Sequence, residues 1–143
     1  MASPASPAAL AAVGIFLLFG STMALLAGAT LTWKGTALDR IWLLNPIAYQ
    51  RLAPFGSLAG IPFLILSALL ALAVVGWFKR RLWSWWFTVA IIATQVLGDA
   101  GNLVLGHFLE GATGVLIAGA LLAYLLRPST RDGFSMKPKR RPT

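Results

Sequence analysis

The chain has 143 residues, 58% hydrophobic and 11% charged, with a mean hydropathy of +0.78. That is more apolar surface than one soluble core of this size can hide, so the composition excludes a soluble enzyme and points to a protein of the lipid bilayer. Twelve Lys and Arg against four Asp and Glu set the net charge at +8, yet these charges sit between and after apolar runs, which assigns them to membrane surfaces and not to nucleic acid. The absence of cysteine removes disulfides, thiolate metal ligands and thiol redox chemistry.

After a short N-terminal tail, 1–7, four apolar segments follow at about 8–31, 59–78, 83–105 and 109–126. At ~1.5 Å per residue a hydrocarbon core of ~30 Å needs about 20 residues, so the first three are long enough to span and the fourth is marginal. The fourth spans only if its first turn includes Leu109 and Glu110. No Lys or Arg precedes the first segment, and its apolar run is about twice the ~7–15 residues of a signal-peptide core, so it is expected to stay as a membrane helix. The predicted fold is all-α, a four-helix transmembrane bundle.

Every Trp and Tyr falls near an end of these segments, where a ring can be half buried while its N–H or O–H stays wet. Trp33, Trp42 and Tyr49 lie between the first two spans; Trp77, Trp83, Trp85, Trp86 and Tyr124 lie at the opposite ends. Four spans put Lys79, Arg80, Arg81, Arg127, Arg131, Lys137, Lys139, Arg140 and Arg141 on one face, against Lys34, Arg40 and Arg51 on the other. Nine basic residues against three predict a multi-pass protein of the cell membrane with both termini cytoplasmic.

The first outer loop, 32–58, carries its own helical signals. Thr36 is placed to cap a helix over 37–44 with Asp39 in its first turn, and Asn45-Pro46 reads as N-cap and first residue of a second short helix ending near Leu52. Ile41, Trp42, Leu44 and Ile47 are apolar whereas Asp39, Arg40 and Arg51 are not, so both helices are expected to be amphipathic and to lie in the interface plane as a lid. The second outer loop, around Gly106-His107-Phe108, is short enough to force the third and fourth spans into an antiparallel hairpin. Beyond Arg127 the composition turns polar, and 128–143 is expected to be a disordered basic cytoplasmic tail whose Lys137, Lys139, Arg140 and Arg141 contact anionic lipid.

Chemistry concentrates in the third span. Gln95, Asp99 and Asn102 are spaced i, i+4, i+7 and share one helix face, while Gly98 and Gly101 would let a neighbouring backbone approach. An ionisable residue inside a span costs ~2.5–3.5 kcal/mol at mid-bilayer and so faces protein or water. Asp99 is therefore either a ligand, ion or proton site or a structural plug; its expected partners are Arg40 or Arg51 of the outer loop, with His107 and Glu110 close by. One His without a second ligand at helical spacing does not make a metal site, so neither metal nor cofactor is expected. Gly20, Ala24 and Gly28, and Gly111, Gly114, Ala118 and Gly119, mark faces for close helix packing, within the chain or with another subunit.

The stretches Gly35-Thr36-Ala37-Leu38-Asp39-Arg40-Ile41-Trp42-Leu43-Leu44-Asn45-Pro46 and Gly98-Asp99-Ala100-Gly101-Asn102 resemble those of a family of small bacterial integral membrane proteins with four helices and no assigned activity. The resemblance covers Leu31 to Arg127 and implies the same fold, with no site residues. The function expected is that of an accessory or partner-binding membrane subunit, its partners being membrane lipids and another membrane protein or a second copy of the chain. The alternative is a small oligomeric transporter or channel in which Asp99 exchanges a proton or cation.

Overall fold

The computed structural model describes residues 5–134, and their regular structure is entirely helical. Four helices are long and apolar enough to cross a membrane: α1 (Pro7–Thr32), α3 (Ser57–Phe78), α4 (Leu82–Val104) and α5 (Phe108–Leu125). Two short α-helices, α2 (Pro46–Leu52) and α6 (Pro128–Asp132), and two 3-10 helices complete the set. The chain divides into two units, one of residues 13–74 and one that joins the described part of 1–12 to that of 75–143.

In the first unit α1 and α3 run antiparallel, held by features that suit a bilayer, where hydrophobicity does not drive helices together. Ser21 Oγ donates to the Ser67 carbonyl at 3.0 Å and Ser67 Oγ donates back to the Ser21 carbonyl at 2.9 Å, both buried. Further along, Gly28 and Gly60 face each other: a Cβ on Gly28 would lie 2.9 Å from the Gly60 carbonyl oxygen, and one on Gly60 would lie 2.8 Å from that of Gly28. Only hydrogen fits there on either helix. Gly28 thus belongs to a contact inside the chain, as do Gly20, whose Cβ would rest 3.7 Å from Leu70, and the buried Ala24.

The outer segment follows the sequence reading closely, with one exchange of roles. A 3-10 helix covers Ala37–Leu44, but Thr36 makes no side-chain cap. Asp39 reaches back instead and accepts from the Gly35 N–H at 2.7 Å, because a carboxylate in the first turn can satisfy a free N–H upstream. Asn45 caps α2 as expected, its Oδ1 accepting from the Ala48 N–H at 3.1 Å, with Pro46 at the first helical position. Trp42 anchors the segment to α1 by donating from Nε1 to Thr30 Oγ1 at 2.9 Å, and it packs against Tyr49 with ring centroids 5.3 Å apart. Lys34 Nζ donates to the Ala53 carbonyl at 2.6 Å.

The second unit is built on the α4–α5 hairpin. Its turn is a Schellman closure: the Gly106 N–H donates to the Leu103 carbonyl and the His107 N–H to that of Asn102, with Gly106 at φ 89°. The C-terminus of α3 closes the same way, the Arg80 N–H donating to Trp77 and the Arg81 N–H to Gly76. There the left-handed residue is Arg80, φ 53°, in a conformation that costs a non-glycine residue about 1–2 kcal/mol. At the start of α1, Ser6 Oγ accepts from the Ala9 N–H and Pro7 opens the helix.

Two expectations change at this end of the molecule. The tail does not begin as disordered chain at 128: Pro128–Asp132 is α6, Thr130 is fully buried, and Phe134 is 5% exposed. Thr130 Oγ1 donates to the Tyr124 carbonyl at 2.9 Å, satisfying an acceptor that the end of α5 leaves open, and the Phe134 ring packs 4.5 Å from Trp77. The second change concerns the aromatics. Trp77 and Trp85 are 2% and 3% exposed and do not face headgroups; their indole N–H groups donate to the carbonyls of Leu10 at 2.8 Å and Leu125 at 3.0 Å. Lys137, Lys139, Arg140 and Arg141 lie outside the described residues.

Candidate functional site

Among the described residues, Asp99 is the one charged residue buried in the long helices, 9% exposed in the fifth turn of α4. The i, i+4 spacing places Gln95 one turn earlier on the same face, and its Nε2 donates to both carboxylate oxygens, at 3.2 and 3.1 Å. Across the hairpin the carboxyl group lies directly against Gly114 of α5, where a Cβ would sit 2.7 Å from Oδ1. Gly111, one turn nearer the loop, makes the same kind of approach: its Cβ would lie 2.8 Å from the Asp99 carbonyl oxygen and 2.7 Å from the Leu103 nitrogen. Gly114 therefore opens the space that the carboxyl group fills, while Gly111 lets the α4 backbone come close.

Burial of this kind favours a fixed charge-assisted pair over a loose one, since an ionised group out of water is tolerated only where donors meet it. Gln95 supplies such a donor from within the helix. A neutral amide neutralises no charge, so the arrangement orients and solvates the carboxylate.

The remaining expected members of the site are spread more widely. Asn102 is half-buried, and its backbone carbonyl accepts from the His107 N–H at 2.9 Å in the interhelical turn. His107 stands at the N-cap of α5 without a side-chain cap, and Glu110 is exposed in the first turn, where a negative charge suits the helix dipole. Arg40 belongs to the 3-10 helix at Ala37–Leu44 and Arg51 to the last turn of α2, both in the other unit. Among the described residues no three His, Cys, Asp or Glu side chains converge as metal ligands.

The glycines of α4 depart from expectation. No neighbouring atom lies within 4 Å of where a Cβ on Gly98 or Gly101 would sit, and both residues are exposed. At 100° per residue they are turned away from Asp99, so α5 approaches the carboxylate with its own glycines and leaves those of α4 bare. Gly119 is likewise open, unlike Gly111 and Gly114.

Sequence reasoning also missed a polar pair near the other end of the hairpin. Thr88 Oγ1 on α4 and Tyr124 Oη on α5 are buried without a partner among the described residues. A Thr in an apolar helix commonly bonds its own backbone, as Thr94 does to the Ala90 carbonyl at 2.9 Å, so nothing local distinguishes Thr88 beforehand.

Comparison with protein-family models, with curated proteins and with solved structures gives no match to this chain.

Proposed function

We propose that the protein is a non-enzymatic multi-pass membrane protein that serves as an accessory subunit, docking on another membrane-embedded chain through the exposed face of α4. A mismatch within that helix carries the reading. α4 is the least apolar of the four long helices and also the least covered: 11% of its apolar stretch is buried, against 33% in α1. Its uncovered positions include Thr94, Gln95, Gly98 and Gly101, whereas lipid-facing surface is usually built from large aliphatic side chains. Small and hydrogen-bonding residues gain more from a second helix than from acyl chains, because a thin face lets backbones approach and an amide finds donors and acceptors. The nine-to-three distribution of basic residues orients the subunit with both termini in the cytoplasm, and Lys137, Lys139, Arg140 and Arg141 serve as further contacts to anionic lipid. The small bacterial four-helix family that the chain resembles is the family to which we assign it.

The competing reading is an oligomeric transporter or channel that loads a proton or cation on Asp99. The Gln95 contact and the close fit against Gly114 favour a structural role, with Asp99 fixing the register of α4 on α5. Native mass spectrometry of the protein extracted in mild detergent, paired with proton and cation flux in proteoliposomes, separates the two. An accessory subunit leaves the membrane in a stoichiometric complex and gives no flux that depends on Asp99. Flux abolished by Asp99→Asn in a protein that still folds would establish the transporter.

A further inference from the structure

The same chain closes two helices with the same motif and places glycine in only one of them. Gly106 takes the left-handed position after α4 and Arg80 takes it after α3, at φ 89° and 53°. Glycine adopts that conformation without strain, so Arg80 carries a backbone cost that glycine would not.

The Arg80 side chain has an aromatic neighbour. Its guanidinium carbon lies 6.0 Å from the centroid of Phe134, the ring that α6 delivers onto Trp77. That is the outer reach of a cation–π contact, and the exposed guanidinium keeps its N–H groups able to donate. Beside it opens a crevice of about 110 Å³ lined by Pro7, Leu10, Ala11, Trp77, Phe78 and Arg80. Every lining residue but Arg80 is apolar. Arg127 near Tyr124 and Arg131 near Trp85 and Trp86 repeat the arrangement within the same unit, so the unit carries several guanidinium groups beside rings.

An oriented set of N–H donors above an apolar slot matches one kind of ligand, a phosphate diester attached to hydrocarbon. A free phosphate would use the donors and leave the slot empty; a zwitterionic lipid would bring its own cation among the arginines. We infer that Arg80 and the adjoining crevice bind an anionic glycerophospholipid, the phosphate on the guanidinium and the first acyl methylenes against Leu10, Ala11 and Phe78. The inference rests on the membrane assignment and not on which leaflet this end faces.

The test uses the full chain reconstituted in vesicles of equal parts phosphatidylglycerol and phosphatidylcholine with matched acyl chains, followed by gentle extraction and quantification of the lipid retained. Wild type is expected to enrich the anionic lipid about fivefold, the factor expected of one basic residue at a membrane surface. Arg80→Gly is expected to lose most of that enrichment while melting at the same temperature as wild type or higher, and Arg80→Asn, which also tolerates the left-handed backbone, should behave alike. Lys79→Gln removes a neighbouring exposed charge and should keep the enrichment. Unchanged enrichment in both Arg80 variants would overturn the proposal, as would an equal loss in Lys79→Gln, which would signify general surface charge. Complete displacement of the lipid by millimolar inorganic phosphate would also overturn it, in favour of a free-anion site. Failure of the membrane assignment looks different: the wild-type chain would not float with the vesicles at all.

Discussion

Replacing Gly114 by Ala adds one methyl group to α5 at the place where α4 presents its carboxylate. An alanine Cβ would lie 2.7 Å from Asp99 Oδ1 and closer still to the rest of the carboxyl group, a distance that real methyl groups do not sustain. Helix propensity alone favours Ala over Gly by about 1 kcal/mol. Against this stands about 1–3 kcal/mol for overpacking a close contact. If the carboxylate swings aside to relieve it, the Gln95 contacts are lost instead, about 1.5–3 kcal/mol for a hydrogen bond to a charged group. The two costs are alternatives, so after the propensity gain the net expectation is a destabilisation of up to about 2 kcal/mol. Gly98→Ala provides the internal control, since a Cβ there meets nothing and the propensity gain of about 1 kcal/mol stands alone. Reversible unfolding in mixed micelles, followed by the loss of helical ellipticity, measures both variants on one scale. Gly98→Ala should unfold later than wild type and Gly114→Ala earlier. If Gly114→Ala were as stable as Gly98→Ala, the carboxylate would not be seated against α5, and the structural role assigned to Asp99 would fall with it.

Relative to truncation after Phe134, truncation after Arg127 should cost about 3–5 kcal/mol from the Phe134 ring and about 1 kcal/mol from the Thr130 hydrogen bond, read from thermal melts in detergent. Equal melting of both truncations would show that α6 contributes nothing. Reporter fusions at Thr143 and near Gln50 should report opposite sides of the membrane, the former cytoplasmic; the same side for both would contradict four spans.

The parts of the fold legible in the sequence are those set by local or one-dimensional patterns. Apolar runs at about 8–31, 59–78, 83–105 and 109–126 fall within two residues of Pro7–Thr32, Ser57–Phe78, Leu82–Val104 and Phe108–Leu125, because length and hydropathy alone define a helix that can span. Asn45-Pro46 starts α2 because cap chemistry reaches only three residues. Thr36 illustrates the limit of that logic, since its hydroxyl donates to the Asp39 carboxylate at 3.4 Å and caps no N–H.

What depends on distant partners was not legible. Phe134 is a lone aromatic in a polar stretch, and only the presence of Trp77, far away in the sequence, turns it from an exposed residue into a buried one. Likewise the pairing of Gln95 with Asp99 follows from spacing, but which glycines would flank the carboxylate depends on how α5 is rotated against α4. Hydropathy does not encode that rotation when α5 is apolar on nearly all sides.

If the bare face of α4 is where a partner docks, enlarging its glycines must disturb the complex. Gly98→Leu and Gly101→Leu together point two aliphatic side chains into open space, so the chain itself should fold and insert as before. Mass measured in mild detergent by native mass spectrometry, and confirmed by photobleaching steps in native membranes, should show wild type in a stoichiometric complex and the double variant as a folded, separate chain. A double variant that remains in the same complex with undiminished occupancy would rule out docking through this face of α4.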